Sequence, residues 1–391
     1  MHIYIHIPFC RRKCRYCAFY SVPSRVDDEY IPALVNEIRF YSQIYDIFSG
    51  DCDTLYIGGG TPSLLSADQI SEIVSSVKRY FRLSPAEFTV EVNPESFTPD
   101  FAVAILSLGA NRVSIGVQSF FDDDLRFLGR IHSAEQSRRA IEIARTYNFP
   151  EISVDIIYAI PGMTPKKLLE NLKIALEYSV VHISMYALTP EEGTPLWQDV
   201  RTGRVALPGE DAVSEQYLAA LEYLSACGFV PYEVSNFALP GHFCRHNIAY
   251  WEHRRYIGLG ASAHSFSGKC RWANLSDVEK YIRFWVENFD LKIPQNDFNF
   301  CCVAHDLGLP IDFCEELTDG KIAAEKVMLG LRTMWGVKLA DLGKFAEPVK
   351  RRANALIHNG ILNYQGERIW LNPEKRLLTD KIALELVQDF L

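Results

Sequence analysis

The sequence predicts an α/β protein, a partial (β/α)6 barrel followed by a smaller winged-helix-like module. Three observations carry this. Strand-like and helix-like patterns alternate six times within residues 1–190. Most of the strand-like runs lead into residues suited to chemistry rather than packing. Beyond about residue 319 the order changes to helices followed by a hairpin.

The strand candidates are residues 3–7, 54–57, 88–92, 112–117, 152–157 and 182–188. Apolar stripes at helical spacing lie between them: Ile31, Leu34, Val35 and Ile38; Ile70, Ile73, Val74 and Val77; Leu168, Leu169, Leu172 and Leu176. Serial βα units imply a parallel sheet with right-handed crossovers. An open doubly wound sheet fits the same pattern, and either architecture places ligands at the carboxyl ends of the strands. Pro190, Gly193, Pro195, Gly203, Pro208 and Gly209 mark an irregular connection. A helix is expected over 211–226, then an aromatic, loop-rich stretch over 229–272. The tail predicts helices at 324–332 and 349–358, a hairpin of 361–364 with 368–371 around Gln365-Gly366, and a last helix over 379–390. The expected division is 1–190 for the barrel core, 191–318 for its extension and 319–391 for the C-terminal module, read as a packing or docking unit.

The chain has 391 residues and a formal net charge of −9, which argues against broad nucleic-acid binding. No apolar run approaches the roughly 20 residues of a membrane span, and the start lacks a secretory pattern, so a cytoplasmic location is expected. Of the ten cysteines, Cys10, Cys14 and Cys17 are clustered and the rest scattered. A disulfide framework is not expected, and the adjacent Cys301 and Cys302 read as packing residues.

The first strand runs into Cys10-x-x-x-Cys14-x-x-Cys17. The second leads into Gly58-Gly59-Gly60-Thr61-Pro62, the third ends in Glu91-Val92-Asn93-Pro94, and the fourth in Gly116-Val117-Gln118-Ser119. The fifth carries Asp155 and the sixth ends near Ala187. Three thiolates can hold three irons of a [4Fe–4S] cluster and leave the fourth open. S-adenosyl-L-methionine can chelate that iron, and an electron from the cluster can then cleave its sulfonium bond. The glycines would admit the backbone close to the methionyl amino group. Glu91 and Asp155 can accept hydrogen bonds from ammonium or ribose hydroxyls, and Arg130 can pair with a carboxylate. A zinc site completed by His6 is the competing reading of the cysteines.

The runs HIPFCRRKCRYCAF, GGGTP, EVNPE, GVQSF and LGR resemble the radical SAM superfamily and, within it, the HemN/HemW group of porphyrin- and heme-related proteins. The likeness spans Tyr4 to about Ser265, with a HemN-type module after it. It implies a [4Fe–4S] cluster on Cys10, Cys14 and Cys17, and S-adenosyl-L-methionine contacts at Tyr4, Gly59, Gly60, Thr61 and Glu91. It places Tyr16, Gln118, Arg130, Asp155 and Ala187 beside a second such molecule, and His264 near the first. Two departures separate the chain from oxygen-independent coproporphyrinogen III oxidase. Phe19 stands where that enzyme has a further cysteine, and the sequence reaches Cys10 almost at once, without a covering arm. Both fit the HemW branch, understood as heme chaperones, as does His246-Asn247-Ile248-Ala249-Tyr250-Trp251, which matches its HNxxYW signature. His246 can ligate heme iron, and Tyr250 and Trp251 can pack on the macrocycle; a structural turn with a satisfied histidine is the plainer reading.

Two functions are carried forward. One is a heme chaperone that delivers heme to respiratory proteins at the membrane. The other is radical oxidative decarboxylation of coproporphyrinogen III in porphyrin biosynthesis. A zinc-stabilised scaffold is the third and remotest. No catalytic residue is assigned. The basic flank Arg11-Arg12-Lys13 with Arg15 would offset cluster charge, or dock an acidic electron donor such as flavodoxin or ferredoxin.

Overall fold

A computed structural model describes residues 1–43, 53–81, 85–293 and 300–390, apart from the side chain of Cys302. Cys52 lies outside the described residues. β1 (His2–Ile7) is followed by a short parallel pair, β2 (Phe9–Cys10) and β3 (Val22–Pro23), which brackets the cysteine loop. Then come β4 (Thr54–Gly59), β5 (Glu87–Val92), β6 (Arg112–Gln118), β7 (Glu151–Tyr158) and β8 (His182–Ala187). These five and β1 pair in parallel in the order β1-β4-β5-β6-β7-β8.

That order decides between the two architectures. A doubly wound sheet reverses direction at a switch point. Here every added strand lies on the same side of its predecessor, so right-handed crossovers place the helices on one face. The opposite face curves into an open lumen. The sheet is not closed: it ends in antiparallel strands at both edges.

Those edges fall where the sequence suggested loops. β9 (Val230–Pro231) and β10 (Asn236–Ala238) extend the sheet antiparallel beyond β8. β11 (Tyr256–Leu259) pairs parallel with the free side of β1, which adds a parallel strand not expected from the sequence. β12 (His264–Phe266), β13 (Cys270–Asn274) and β14 (Ile311–Glu316) continue antiparallel. The whole sheet has 12 strands.

Local chemistry starts several crossover helices. Thr98 and Thr164 each precede a proline at the first helical position, and their side chains accept from Phe101 N and Lys167 N. Ser133 and Gln136 form a reciprocal capping box. The outward strand residues, such as Ile3, Ile5, Leu55, Ile57, Val90, Ile115, Val154 and Ile183, are almost fully buried beneath these helices.

One hydrophobic cluster runs from Met1 to Leu309, and a second occupies residues 323–387. The second belongs to the C-terminal module. Its helices Asp319–Gly330 and Ala346–His358 flank β15 (Val337–Lys338), which joins the later hairpin of β16 (Asn363–Gln365) and β17 (Arg368–Trp370) in a three-stranded sheet ordered β15-β17-β16. Gly366 and Glu367 both have positive φ, at 56° and 66°, as a tight hairpin turn requires. The first of these helices begins earlier than the apolar pattern indicates, because Thr318 caps it. The last helix is shorter than expected, at Thr379–Val387. The module docks through Met334 N to Tyr232 O at 2.9 Å and through Glu325, which meets His253 and Arg271 at 2.7 and 2.6 Å. Cys301 and Cys314 form a disulfide, contrary to the expectation that the scattered cysteines are unpaired.

Candidate functional site

Two cavities meet on the inner side of the sheet. One, of about 660 Å³, opens at the carboxyl ends of the strands and holds the cysteines. The other, of about 640 Å³, runs down the lumen. Ala18, Phe19, Glu91, Ser114 and Tyr186 line both.

Cys10, Cys14 and Cys17 line the first cavity, with Tyr16, Gly59, Gly60, Thr61, Gln118, Arg130, Asp155 and Ala187. The loop turns so that Cys17 N donates to Cys14 O at 3.3 Å. Thr61 Oγ1 is 3.4 Å from Cys10 Sγ, and Arg130 Nη1 is 3.5 Å from Cys14 Sγ. Burial pushes the Cys10 and Cys17 thiols up. Among the described residues no three His, Cys, Asp or Glu side chains converge as a single metal ion requires. A single zinc draws its ligands to within about 2.3 Å, whereas a cubane spreads its thiolates around the whole cluster. His6, the proposed fourth zinc ligand, is engaged elsewhere: Nε2 meets Tyr20 O at 2.9 Å and Nδ1 meets Tyr4 Oη at 3.0 Å. The zinc reading therefore loses the fourth ligand proposed for it.

The glycine loop is crowded on the side where a Cβ would stand. A Cβ at Gly58 would stand 2.7 Å from the Glu91 carboxylate. One at Gly59 (φ 109°) would stand 2.4 Å from the His6 ring, and one at Gly60 would stand 2.7 Å from Phe9 O. The space that all three glycines leave is already taken by protein. Their first function is to let β4 lie against β1, Glu91 and the cysteine loop.

Glu91 accepts from Tyr56 Oη at 2.7 Å and from Gly59 N at 3.0 Å, with no cation beside it among the described residues. Burial pushes its carboxyl up to about 7. Asp155 accepts from Ser114 Oγ at 3.3 Å and is pushed up to about 6, again mainly by burial. Both carboxylates can accept hydrogen bonds from positive groups or hydroxyls. Arg130 donates to Asn93 Oδ1 at 2.6 Å and Gly116 O at 3.2 Å. Gln118 follows a register break in β6 and has φ 64°, a strained position for a side chain other than glycine.

The remaining candidates belong to the lumen. Tyr4, His246 and His264 line it rather than the cysteine cavity. His264 is exposed near the rim, edge-on to Phe313 at 5.7 Å. His246 is buried, with Nδ1 2.7 Å from Thr54 Oγ1 and Nε2 2.9 Å from Tyr250 Oη, and its ring stacks on Tyr56 at 4.9 Å. Burial lowers its pKa to about 3, so the imidazole is neutral. Both nitrogens are hydrogen-bonded, so ligation through Nε2 requires Tyr250 to move away.

The lumen itself is what reading strand ends alone misses. Thr89, Arg112, Ser114, Ser153, His182 and Ser184 line it from β5 to β8. The signal was present as alternation: Thr89, Ser114, Ser153 and Ser184 each sit between apolar residues in β5 to β8, where a sheet covered on both faces would be apolar throughout.

In the basic flank, Arg15 is committed to packing. It pairs with Asp199 at 2.6 Å and donates to Phe127 O at 3.0 Å. Arg11, Arg12 and Lys13 are exposed. Among the described residues no helix is long and apolar enough to cross a membrane.

A sequence model of the Radical SAM superfamily matches residues 4–175. The chain is 34% identical to heme chaperone HemW of Mycobacterium tuberculosis, covering 98% of this chain and 94% of that protein. It is 32% identical to heme chaperone HemW of Bacillus subtilis, covering 97% of both. Among solved structures, coproporphyrinogen III oxidase (HemN) of Escherichia coli, a radical SAM enzyme, superposes with a TM-score of 0.78 at 22% identity, covering 99% of this chain and 90% of that one. That likeness is one of fold.

Proposed function

Since the chain belongs to the HemW family of radical SAM proteins, we propose that it is a heme chaperone that binds heme in the lumen, carries a [4Fe–4S] cluster and S-adenosyl-L-methionine above it, and delivers heme to a respiratory protein at the membrane. The observation that carries this reading is the pair of adjoining cavities, one lined by three thiols and the other by histidines and aromatic rings. Each is within the size range of a small-molecule or cofactor site.

Cys10, Cys14 and Cys17 hold the cluster, which supplies an open iron for S-adenosyl-L-methionine and an electron for its sulfonium. Glu91 accepts the methionyl ammonium, for which burial has left it poised. Gly59, Gly60 and Thr61 form the cradle wall. Tyr16, Gln118, Arg130, Asp155 and Ala187 line the other side of the cavity, where a second molecule is accommodated. Asp155 accepts ribose hydroxyls there. Tyr4 sets the wall between the cavities through its hydrogen bond to His6. His264 stands at the lumen rim.

His246 ligates heme iron through Nε2. Exchanging the Tyr250 hydrogen bond for a metal bond costs about 1 kcal/mol, while the Thr54 contact keeps the ring oriented, as partners of metal-bound histidines do. Arg11, Arg12 and Lys13 dock a flavodoxin- or ferredoxin-type donor. The module at 319–391 serves as a docking unit, and the working division remains 1–190, 191–318 and 319–391.

The test uses one anaerobic preparation with its cluster reconstituted. Heme titration should saturate at a defined stoichiometry. Incubation with coproporphyrinogen III, S-adenosyl-L-methionine and a reductant should leave the porphyrinogen unchanged. Absence of saturable heme binding, or conversion of the porphyrinogen, would overturn the reading.

A further inference from the structure

The lumen holds a charged group that no role above uses. Arg112 on β6 is 2% exposed, yet it lines the lumen. One of its nitrogens is fixed: Nη1 donates to His242 O at 3.2 Å and lies 3.7 Å from Glu151 Oε2. Nη2 has no hydrogen-bond partner among the described residues. The same holds for Oγ1 of Thr89, which is 1% exposed and sits directly opposite Arg112 on β5.

Two acids stand near, and both are turned to other donors. The oxygens of Glu87 accept from the backbone N–H groups of Arg245 and His246, at 2.9 and 3.0 Å. Both oxygens of Glu151 are 2.8 Å from His242 Nδ1. A guanidinium nitrogen left unpaired inside a protein is costly, and such groups in native structures have an explanation. Guanidinium has donors only, in a planar fork that matches a carboxylate. A threonine hydroxyl beside it adds one more donor.

We infer that Arg112 Nη2 and Thr89 Oγ1 form a carboxylate subsite in the lumen that receives a propionate of the bound heme. This rests on the reading of the lumen as the heme cavity. It assigns recognition of the cargo's acid group to paired residues of β5 and β6, apart from His246 on its iron.

The probe pair is heme and heme dimethyl ester, titrated into the full-length protein from the same detergent stock. The wild type should bind the free acid at least about tenfold more tightly than the diester. Arg112→Gln should reduce that ratio to about twofold by weakening the free acid alone, and Thr89→Val should give an intermediate ratio. Equal binding of acid and diester by the wild type overturns the subsite and needs no variant. A ratio that survives both substitutions also overturns it. If neither form binds saturably, the heme reading itself fails, a result distinct from equal binding.

Discussion

The two cavities are similar in size and share a wall, but they are built in opposite ways. The cysteine cavity is assembled from short contiguous motifs at strand ends: the Cys10–Cys17 loop, Gly58–Thr61 and Glu91–Asn93. The lumen is assembled from every second residue of the strand interiors, with His246 brought in from the distant helix Arg245–Trp251. In the first, burial raises the carboxyls of Glu91 and Asp155, and Arg130 lines the same cavity. The second is lined largely by aromatic rings and histidines, with Glu91, Arg112, Arg254 and Arg271 as its charged residues. The difference teaches that one sheet can carry a motif-encoded site on its rim and an alternation-encoded site within its curve.

The largest effect should come from the shared wall. Gly59→Ala would force a side chain into a φ of 109° and against the His6 ring. We expect a loss of about 2–4 kcal/mol in chemical unfolding, with both cofactor and heme binding impaired. Loss of one binding activity alone would show that the wall is not shared.

Next, Glu91→Gln should lower S-adenosyl-L-methionine affinity by about tenfold to 100-fold, measured by anaerobic calorimetry. The sign of the pH dependence follows from the raised carboxyl. An ammonium ligand favours the ionised form, so binding below about pH 7 expels a proton from Glu91. Wild-type affinity should therefore rise from pH 5.5 to about 7.5 and then level, while the variant is flatter. Without ligand the same group acts on folding in the opposite sense. A raised carboxyl stabilises the fold below about pH 4.5, and this contribution is lost as pH rises to about 7. Glu91→Gln should thus raise the melting temperature at pH 8 by about 2 °C and leave it nearly unchanged at pH 4.5.

A smaller effect separates the lumen from the rim. Tyr250→Phe removes the hydroxyl that competes for His246 Nε2, so heme affinity should rise about threefold to fivefold in absorbance titration. S-adenosyl-L-methionine affinity should not change. His246→Ala should alter the heme spectrum; an unchanged spectrum would place the ligand elsewhere. The smallest effect concerns the exposed flank. Arg12→Glu with Lys13→Glu should slow reduction by an acidic donor a few-fold at low salt, and the difference should fade as salt is raised. A salt-independent difference would assign these residues to the cluster itself.

The sequence was legible where chemistry and chain order coincide. Cys10, Cys14, Cys17 and Glu91 sit at predicted strand ends and Asp155 within a predicted strand, and the structure gathers them in one cavity. It was less legible where a residue's neighbour is distant. Arg112 read as the first residue of a strand, and only the pairing of β5 with β6 sets it opposite Thr89. Gly258 lay in a stretch taken for loop, yet it belongs to β11, paired with β1 from more than half the chain away. The glycine triplet stands out in the sequence, but its crowding partners, Glu91, His6 and Phe9, come from three other strands. The Cys301–Cys314 pair joins a helix to β14, a proximity that spacing alone does not reveal.

The central claim is that cluster and heme occupy separate cavities. Its most direct test is an anaerobic heme titration of the protein carrying Cys10→Ala, Cys14→Ala and Cys17→Ala, followed by absorbance and by iron and sulfide analysis. The account predicts that iron–sulfur content is lost while heme binds with the same stoichiometry and spectrum as in the wild type. Loss of heme binding together with the cluster would contradict it.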